Sequence, residues 1–175
     1  MQKGFLFDQN KCVACNACRA ACIIENGWEV SPRIVYTYNN DAVISLPIVN
    51  LSMACNHCEK PLCLEGCPSA SFFRDKTTGA IVINDEKCIG CKYCKWNCPY
   101  DAPKFNNIKK VIVKCHLCYT GLAEGRMPAC SSACPTGALS YGDLSLNTEE
   151  DTPLWFPEKN INPALRFTGQ QNIFP

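Results

Sequence analysis

The sequence predicts an α+β fold: two nested, pseudo-twofold-related modules of short strands and short helices built around cysteine loops, with an extended C-terminal tail. Three observations lead there. Sixteen of the 175 residues are cysteine, a fraction that in a short chain signals a disulfide or metal framework. The cysteines recur as four groups of four with similar spacing, which marks an internal repeat. Between the groups lie brief β-rich runs closed by turn residues, not long helical periods. Charged residues make up only 19% of the chain and hydrophobic ones, cysteine included, 47%. Disorder is therefore excluded as the dominant state, and much of the cohesion falls to the cysteines. Apolar runs such as residues 44–51 stop far short of the ~20 residues a bilayer span needs. Met1-Gln2-Lys3-Gly4 leads into no secretory signal.

In order, the groups are Cys12-x2-Cys15-x2-Cys18-x3-Cys22; Cys55-x2-Cys58-x4-Cys63-x3-Cys67, then Pro68; Cys88-x2-Cys91-x2-Cys94-x3-Cys98, then Pro99; and Cys115-x2-Cys118-x11-Cys130-x3-Cys134, then Pro135. The C-x2-C-x2-C-x3-C-P run is the bacterial ferredoxin signature, in which three thiolates hold one [4Fe–4S] cube and the fourth reaches another. Cysteines three residues apart wrap three corners of a cube, and the proline turns the chain onward. Disulfides are a poor alternative, because adjacent C-x2-C pairs have unfavourable bridging geometry and no secretion signal accompanies them. Zinc modules place two C-x2-C pairs a dozen or more residues apart, whereas the first and third groups each compress four cysteines into eleven residues.

The short connection from Cys67 to Cys88 resembles the spacing inside a two-cluster ferredoxin and pairs the second group with the third. The first and fourth groups then pair across the chain. The expected ligand sets are Cys12, Cys15, Cys18 with Cys134; Cys22 with Cys115, Cys118, Cys130; Cys55, Cys58, Cys63 with Cys98; and Cys67 with Cys88, Cys91, Cys94. Four [4Fe–4S] clusters are expected. Residues 52–104 form an inner module inserted into an outer one (1–51 and 105–142), and 143–175 form a tail. Sixteen thiolates on four oxidised cores would bring the loaded chain to about −7, against +1 for the bare sequence.

Phe5-Leu6-Phe7-Asp8 reads as a strand entering the first group. Residues 33–38 and 42–51 are β-rich around an Asn39-Asn40-Asp41 turn. Residues 71–83 repeat the pattern around Thr77-Thr78-Gly79, Val111-Ile112-Val113 leads into the fourth group, and Ala138-Leu139-Ser140-Tyr141 leaves it. Short helices are expected near the last cysteine of each group. The tail, with Pro153, Pro157, Pro163 and Pro175, reads as extended. Leu154, Trp155, Phe156, Leu165 and Phe167 are poor choices for a free disordered tail and are expected to lie against a partner more than against this chain.

These residues also carry a resemblance. Gly4 to Asp8 before Cys12, the Cys55-Asn56-His57-Cys58-Glu59-Lys60-Pro61-Leu62-Cys63 run, Cys88-Ile89-Gly90-Cys91-Lys92-Tyr93-Cys94, Cys98-Pro99-Tyr100-Asp101-Ala102-Pro103 and Ala123 to Cys130 resemble the four-cluster iron–sulfur subunit of DMSO reductase-type molybdenum or tungsten oxidoreductases, polysulfide reductase relatives included. The likeness covers about residues 4–142, and Asn162 to Gly169 also looks similar. It implies the same cysteine exchange between groups. It also implies a non-catalytic subunit that relays single electrons between a molybdopterin catalytic subunit and a quinone-reactive membrane anchor. Both would be separate polypeptides, and the complex would lie at the membrane, on the periplasmic side by export with a partner. A related family replaces one third-group cysteine by Trp and holds a [3Fe–4S] cluster; here all four cysteines are present and Trp96 is additional.

Other features have plainer readings. His57 and His116 sit inside C-x2-C gaps; with sixteen thiolates available they are expected beside the clusters or at the surface, not as ligands. Lys87, Lys92, Lys95, Lys104, Lys109, Lys110 and Lys114 face only Asp101 in that stretch and read first as a solvated face, second as charges that raise cluster potentials or dock a partner. Tyr93, Trp96 and Tyr100 are expected to shield a cluster from water. No nucleic-acid motif, catalytic triad or phosphate loop is present. The competing function is a free polyferredoxin serving a cytoplasmic hydrogenase or formate dehydrogenase; a diffusible carrier would tolerate loss of the tail.

Overall fold

The computed structural model describes residues 3–38, 48–146, 156 and 160–169. The chain is a small mixed α/β protein in which the elements are brief because the cysteine loops interrupt every potential long one. Strand β1 (Lys3–Asp8) alternates its side chains so that Phe5 and Phe7 point to one buried face. It pairs antiparallel with β8 (Leu139–Asp143), setting Phe5 opposite Tyr141 and Phe7 opposite Leu139. Its other edge pairs parallel with β9 (Leu165–Thr168), setting Phe5 opposite Leu165 and Phe7 opposite Phe167. The described start of the chain is thus held between two segments from its end.

Among the described residues three antiparallel hairpins make up the rest of the β structure: β2 (Ile34–Tyr38) with β3 (Val49–Met53), β4 (Phe72–Arg74) with β5 (Ile81–Ile83), and β6 (Lys104–Asn106) with β7 (Val111–Val113). The expected strands are present there. The turn at 39–41 and residues 42–47 of the expected second run lie outside the described residues. Five α-helices among the described residues follow the loops: α1 (Ala17–Asn26), α2 (Leu62–Glu65), α3 (Tyr93–Asn97), α4 (Tyr119–Ala123) and α5 (Ala129–Ser132). Helix α1 packs on α5, and α2 on α3. Helix α1 runs longest because nothing breaks it before Gly27, which caps it in the left-handed conformation and donates its N–H to Ile23 O.

The helices explain the x3 gaps. Cys18 and Cys22, Cys63 and Cys67, Cys94 and Cys98, and Cys130 and Cys134 are all four residues apart, and each pair begins on one of these helices. Cys18 and Cys22 both lie on α1, where residues i and i+4 share a helix face and sit about 6 Å apart along the axis, whereas Cys67, Cys98 and Cys134 lie just past the ends of α2, α3 and α5. One thiol can therefore serve a near cube while its partner serves the next.

The tail differs from expectation. Phe156, Ile161, Ala164, Leu165 and Phe167 are buried against this chain rather than left for a partner. Phe156 stacks on Tyr100 with ring centroids 4.9 Å apart, and Phe167 meets both Phe156 (5.0 Å) and Phe7 (6.3 Å) edge-on. The reason is the open edge of β1, whose unpaired backbone groups and apolar face are both satisfied by β9. The remaining apolar tail residues, Leu154 and Trp155, lie outside the described residues. Among the described residues no helix is long and apolar enough to cross a membrane.

Candidate metal centres

All sixteen cysteines are free thiols, and seven (Cys18, Cys22, Cys55, Cys63, Cys94, Cys115, Cys130) are buried. Their electrostatic neighbours sort them into groups. Burial, then repulsion from Cys18, Cys134 and Cys15, raises the Cys12 thiol above its ordinary value, with a partial offset from the Ala14 backbone. Burial and Cys130 and Cys118 push Cys22 up to about 12, partly opposed by Arg33. Burial and Cys55 and Cys98 push Cys58 up to about 12, and burial and Cys55, Cys98 and Cys58 do the same to Cys63. Burial and Cys88, Cys67 and Cys91 push Cys94 up to about 12. For Cys12, Cys58, Cys63 and Cys94 the cysteines that act on them are the companions expected from spacing, and Cys22 feels Cys18 of the first group besides Cys130 and Cys118. Cys115, raised most by burial and next by Cys22 and Cys130, also feels Cys55.

Two of the quartets line concavities. Cys12, Cys15, Cys18 and Cys134 line one with Phe7 and Val35. Cys22, Cys115, Cys118 and Cys130 line another with Phe5 and Trp28. Among the described residues no three Cys, His, Asp or Glu side chains converge as ligands of one ion do. A cube held at its corners calls for thiols spread around a volume, and the Cys12 and Cys22 quartets are spread in that way.

The loops have a common backbone. In the first C-x2-C of each group the residue before the second cysteine is left-handed: Ala14 (φ 54°), His57 (φ 43°), Gly90 (φ 67°) and Leu117 (φ 63°). Asn16 and Lys92, directly after Cys15 and Cys91, are left-handed too and cap α1 and α3. Such turns point successive N–H groups inward, making a concavity for negative charge. His57 N donates to Cys55 Sγ (3.4 Å) and Leu117 N to Cys115 Sγ (3.3 Å). Left-handed backbone at non-glycine residues is costly and persists where function over-determines it. Spacing alone hid it, because only Gly90 of the four has the residue type that advertises it.

Past the helices, Ser71 N donates to Cys67 Sγ and Leu139 N to Cys134 Sγ, both at 3.4 Å, with Ser69 Oγ (3.6 Å) and Thr136 Oγ1 (3.7 Å) beside the same sulfurs. Burial acts to raise these two thiols, but the hydrogen bonds outweigh it and hold both below the ordinary value. A hydroxyl residue directly after Cys-Pro was the available signal.

His57 is buried, its Nδ1 accepts the Ile81 N–H at 3.0 Å, and burial with Lys114 nearby drives it well below the usual imidazole range. His116 packs edge-on between Trp28 and Tyr119. The lysine stretch is only partly a solvated face. Lys95 and Lys104 both pair with Asp101 (2.6 and 2.8 Å), and Lys92 lies 4.1 Å over the Phe105 ring. Lys114 departs from it altogether: it is 1% exposed and donates to the carbonyls of Ile81 and Cys115. Tyr100 is half-buried, but Tyr93 and Trp96 stand out at 52% and 70% exposure, stacked edge-on at 5.5 Å. They shield little and instead form an apolar surface with Ile89 (68% exposed). Sequence reading missed Arg33, which is 1% exposed and sits among the thiols of the first two quartets.

The 4Fe-4S dicluster domain model matches residues 47–144. The chain is 37% identical over 153 residues to YnfG, a probable anaerobic dimethyl sulfoxide reductase chain of Escherichia coli (strain K12), covering 82% of this chain and 74% of that one. A chain of the anaerobic dimethyl sulfoxide reductase of the same strain gives the same identity and coverage. The chain belongs to the iron–sulfur subunits of the molybdopterin oxidoreductase family. A sulfite dehydrogenase subunit of Allochromatium vinosum is 29% identical over 197 residues, covering 99% of this chain and 78% of that one. As a member of this family the chain is an electron-transfer subunit that relays electrons through 4Fe-4S centres, and it is not the catalytic subunit.

Proposed function

We propose that the chain holds four [4Fe–4S] clusters in one row and works as the electron relay between a molybdopterin catalytic subunit, with Mo or W, and a quinone-reactive membrane anchor. The ligand sets are Cys12, Cys15, Cys18, Cys134; Cys22, Cys115, Cys118, Cys130; Cys55, Cys58, Cys63, Cys98; and Cys67, Cys88, Cys91, Cys94. The observation that carries the reading is that Cys12, Cys15, Cys18 and Cys134 line one concavity and Cys22, Cys115, Cys118 and Cys130 another, with Cys55 and Cys98 beside Cys58 and Cys63, Cys88, Cys67 and Cys91 beside Cys94, and Cys55 near Cys115. Cys18 and Cys22 on α1 link the first set to the second, the Cys55–Cys115 proximity links the second to the third, and Cys63/Cys67 and Cys94/Cys98 link the third to the fourth. Bound clusters supply reversible one-electron transfer.

The chain's own residues do the rest. Thiolates hold the corners, loop N–H groups stabilise negative charge at the sulfurs, and Phe5, Phe7, Leu117 and Leu139 keep water from the Cys12 and Cys22 sets. The two ends of the row are its most open parts. Cys15 is exposed beside Val13 (63% exposed), and Ile89 and Trp96 flank the Cys88 loop. These faces suit one protein partner at each end, and they favour the subunit reading over a diffusible carrier. The nested modules are supported by the closure of the sheet by β1 with β8 and by the α1–α5 and α2–α3 packing. A site on the periplasmic face of the membrane, reached by export with the catalytic partner, completes the proposal.

Anaerobic purification of the chain with its associated proteins tests it. About 16 iron atoms per chain, a pterin-bearing partner and a membrane-embedded partner are expected. A stable holoprotein that purifies alone from its native host would overturn the relay between partners.

A further inference from the structure

Arg33 is 1% exposed, and its charged neighbours are the thiols of Cys130, Cys115, Cys18 and Cys22, with no carboxylate in ion-pair range among the described residues. A buried cation without an opposite charge is strongly disfavoured. Its guanidinium carbon lies 4.6 Å over the Phe5 ring, Nη1 donates to Ser52 Oγ (3.0 Å) and Ser52 O (3.3 Å), and Nε and Nη2 have no hydrogen-bond partner among the described residues. Ser52 Oγ in turn lies 3.3 Å from Cys18 Sγ. Direction follows from chemistry. A guanidinium only donates, so Ser52 Oγ accepts from it and turns its own proton outward. Cys18, as a thiolate ligand, only accepts, so the hydroxyl donates to its sulfur.

We propose that Arg33 and Ser52 set the reduction potentials of the two outer centres: Arg33 as the buried counter-charge shared by the Cys12 and Cys22 quartets, and Ser52 as a donor to the Cys12 quartet alone through Cys18. The proposal rests on the ligand sets given above. Each added electron makes a cluster more negative, so a fixed cation and a hydrogen bond to sulfur both favour the reduced form and raise the potential. A purely mechanical role is the competitor, since Arg33 also ties β2's approach to β3 and covers Phe5. Charge and shape are separable by substitution, because Lys keeps the charge and Met keeps much of the volume.

The experiment is an EPR-monitored redox titration of the intact complex, with iron analysis, for wild type, Arg33→Met, Arg33→Lys and Ser52→Ala, the Cys12-quartet signal being identified by its alteration in Cys15→Ser. Arg33→Met should lower two midpoints, Ser52→Ala one of those two, the Cys12-quartet signal, and Arg33→Lys neither. Unchanged midpoints in Arg33→Met overturn the proposal. So does an Arg33→Lys shift as large as that of Arg33→Met, or a Ser52→Ala shift confined to a signal that Arg33→Met leaves alone. If Arg33→Met emerges short of iron, a fully loaded Arg33→Lys supports the counter-charge role, and an equally depleted one overturns it. A wild-type complex short of four clusters overturns the ligand sets themselves and the proposal with them, which separates the two failures.

Discussion

At the scale of single residues, the buried charges are as informative as the cysteines. Lys114 reaches two backbone carbonyls from inside the core and lies close enough to Cys58 and Cys63 to oppose the rise of both thiols. A cation there is sustained by the negative charge of loaded quartets, as at Arg33. Lys114→Met should leave the carbonyls of Ile81 and Cys115 without a donor at ~1–3 kcal/mol each. Thermal unfolding of the loaded protein checks this: a melting temperature equal to wild type would show that the lysine contributes nothing. The cysteine identities were legible from spacing, but these two cations were not. Lys114 looks in sequence like one member of a basic run, and burial is a property of what folds over a residue rather than of its neighbours along the chain.

At the scale of elements, the four left-handed loops and the tail strand decide most. Gly90 has φ 67°, and a Cβ there would stand 2.3 Å from Lys110 O. Gly90→Ala must therefore displace either the Cys88–Cys91 loop or the β6–β7 turn, on top of a left-handed cost of ~1–3 kcal/mol. Iron per chain should fall by about a quarter, the share of the Cys67, Cys88, Cys91, Cys94 set, with the other signals retained. Loss of iron from every site instead would mean that the loops are not independent. In β9, Phe167 is 1% exposed between Phe7 and Phe156. Phe167→Ala should cost ~3–5 kcal/mol through the cavity it leaves, read as faster hydrogen exchange in β1 and β8. Gly4 belongs to the same junction, because a Cβ there would lie 2.1 Å from Ala164 O. The strands themselves were legible from β-rich runs. The destination of the tail was not, since its apolar residues suit this chain's sheet and a partner's surface equally well in sequence.

At the scale of the whole molecule, the chain's two ends and its middle depend on one another. Residues separated by more than a hundred positions meet: Cys12 with Cys134, Cys22 with Cys130, and Glu59 with Asn162 at 2.6 Å. Separate expression of the two halves should yield neither outer centre, whereas co-expression of both should restore iron; independent folding of the N-terminal half with two full clusters would refute the exchange. Loading also couples to pH. Thiols pushed up to about 12 in the bare fold bind protons more tightly than in the unfolded chain. The stability they contribute is complete below the ordinary thiol range and is lost as pH rises from ~9 towards 12. Cluster ligands must be thiolates, so loading works the other way and releases protons. Iron retained against a fixed chelator concentration should rise as pH goes from about 6 to 9, and a flat profile would contradict the protonated state of the bare thiols.

The sequence by itself determined the chemistry, that of a 4Fe-4S electron relay: sixteen cysteines in four groups at ferredoxin-like intervals, and the short β-rich runs between them. It could do so because ligand spacing and strand pattern are local, written over a few adjacent residues. The tertiary structure decided what covers those sites. It placed Arg33 and Lys114 in the core, bent Ala14, His57 and Leu117 into left-handed turns, and laid Leu165 and Phe167 along β1. Each of these depends on contacts between segments far apart in the chain, where the favourable partner is chosen by the whole packing and not by the residue that makes the contact.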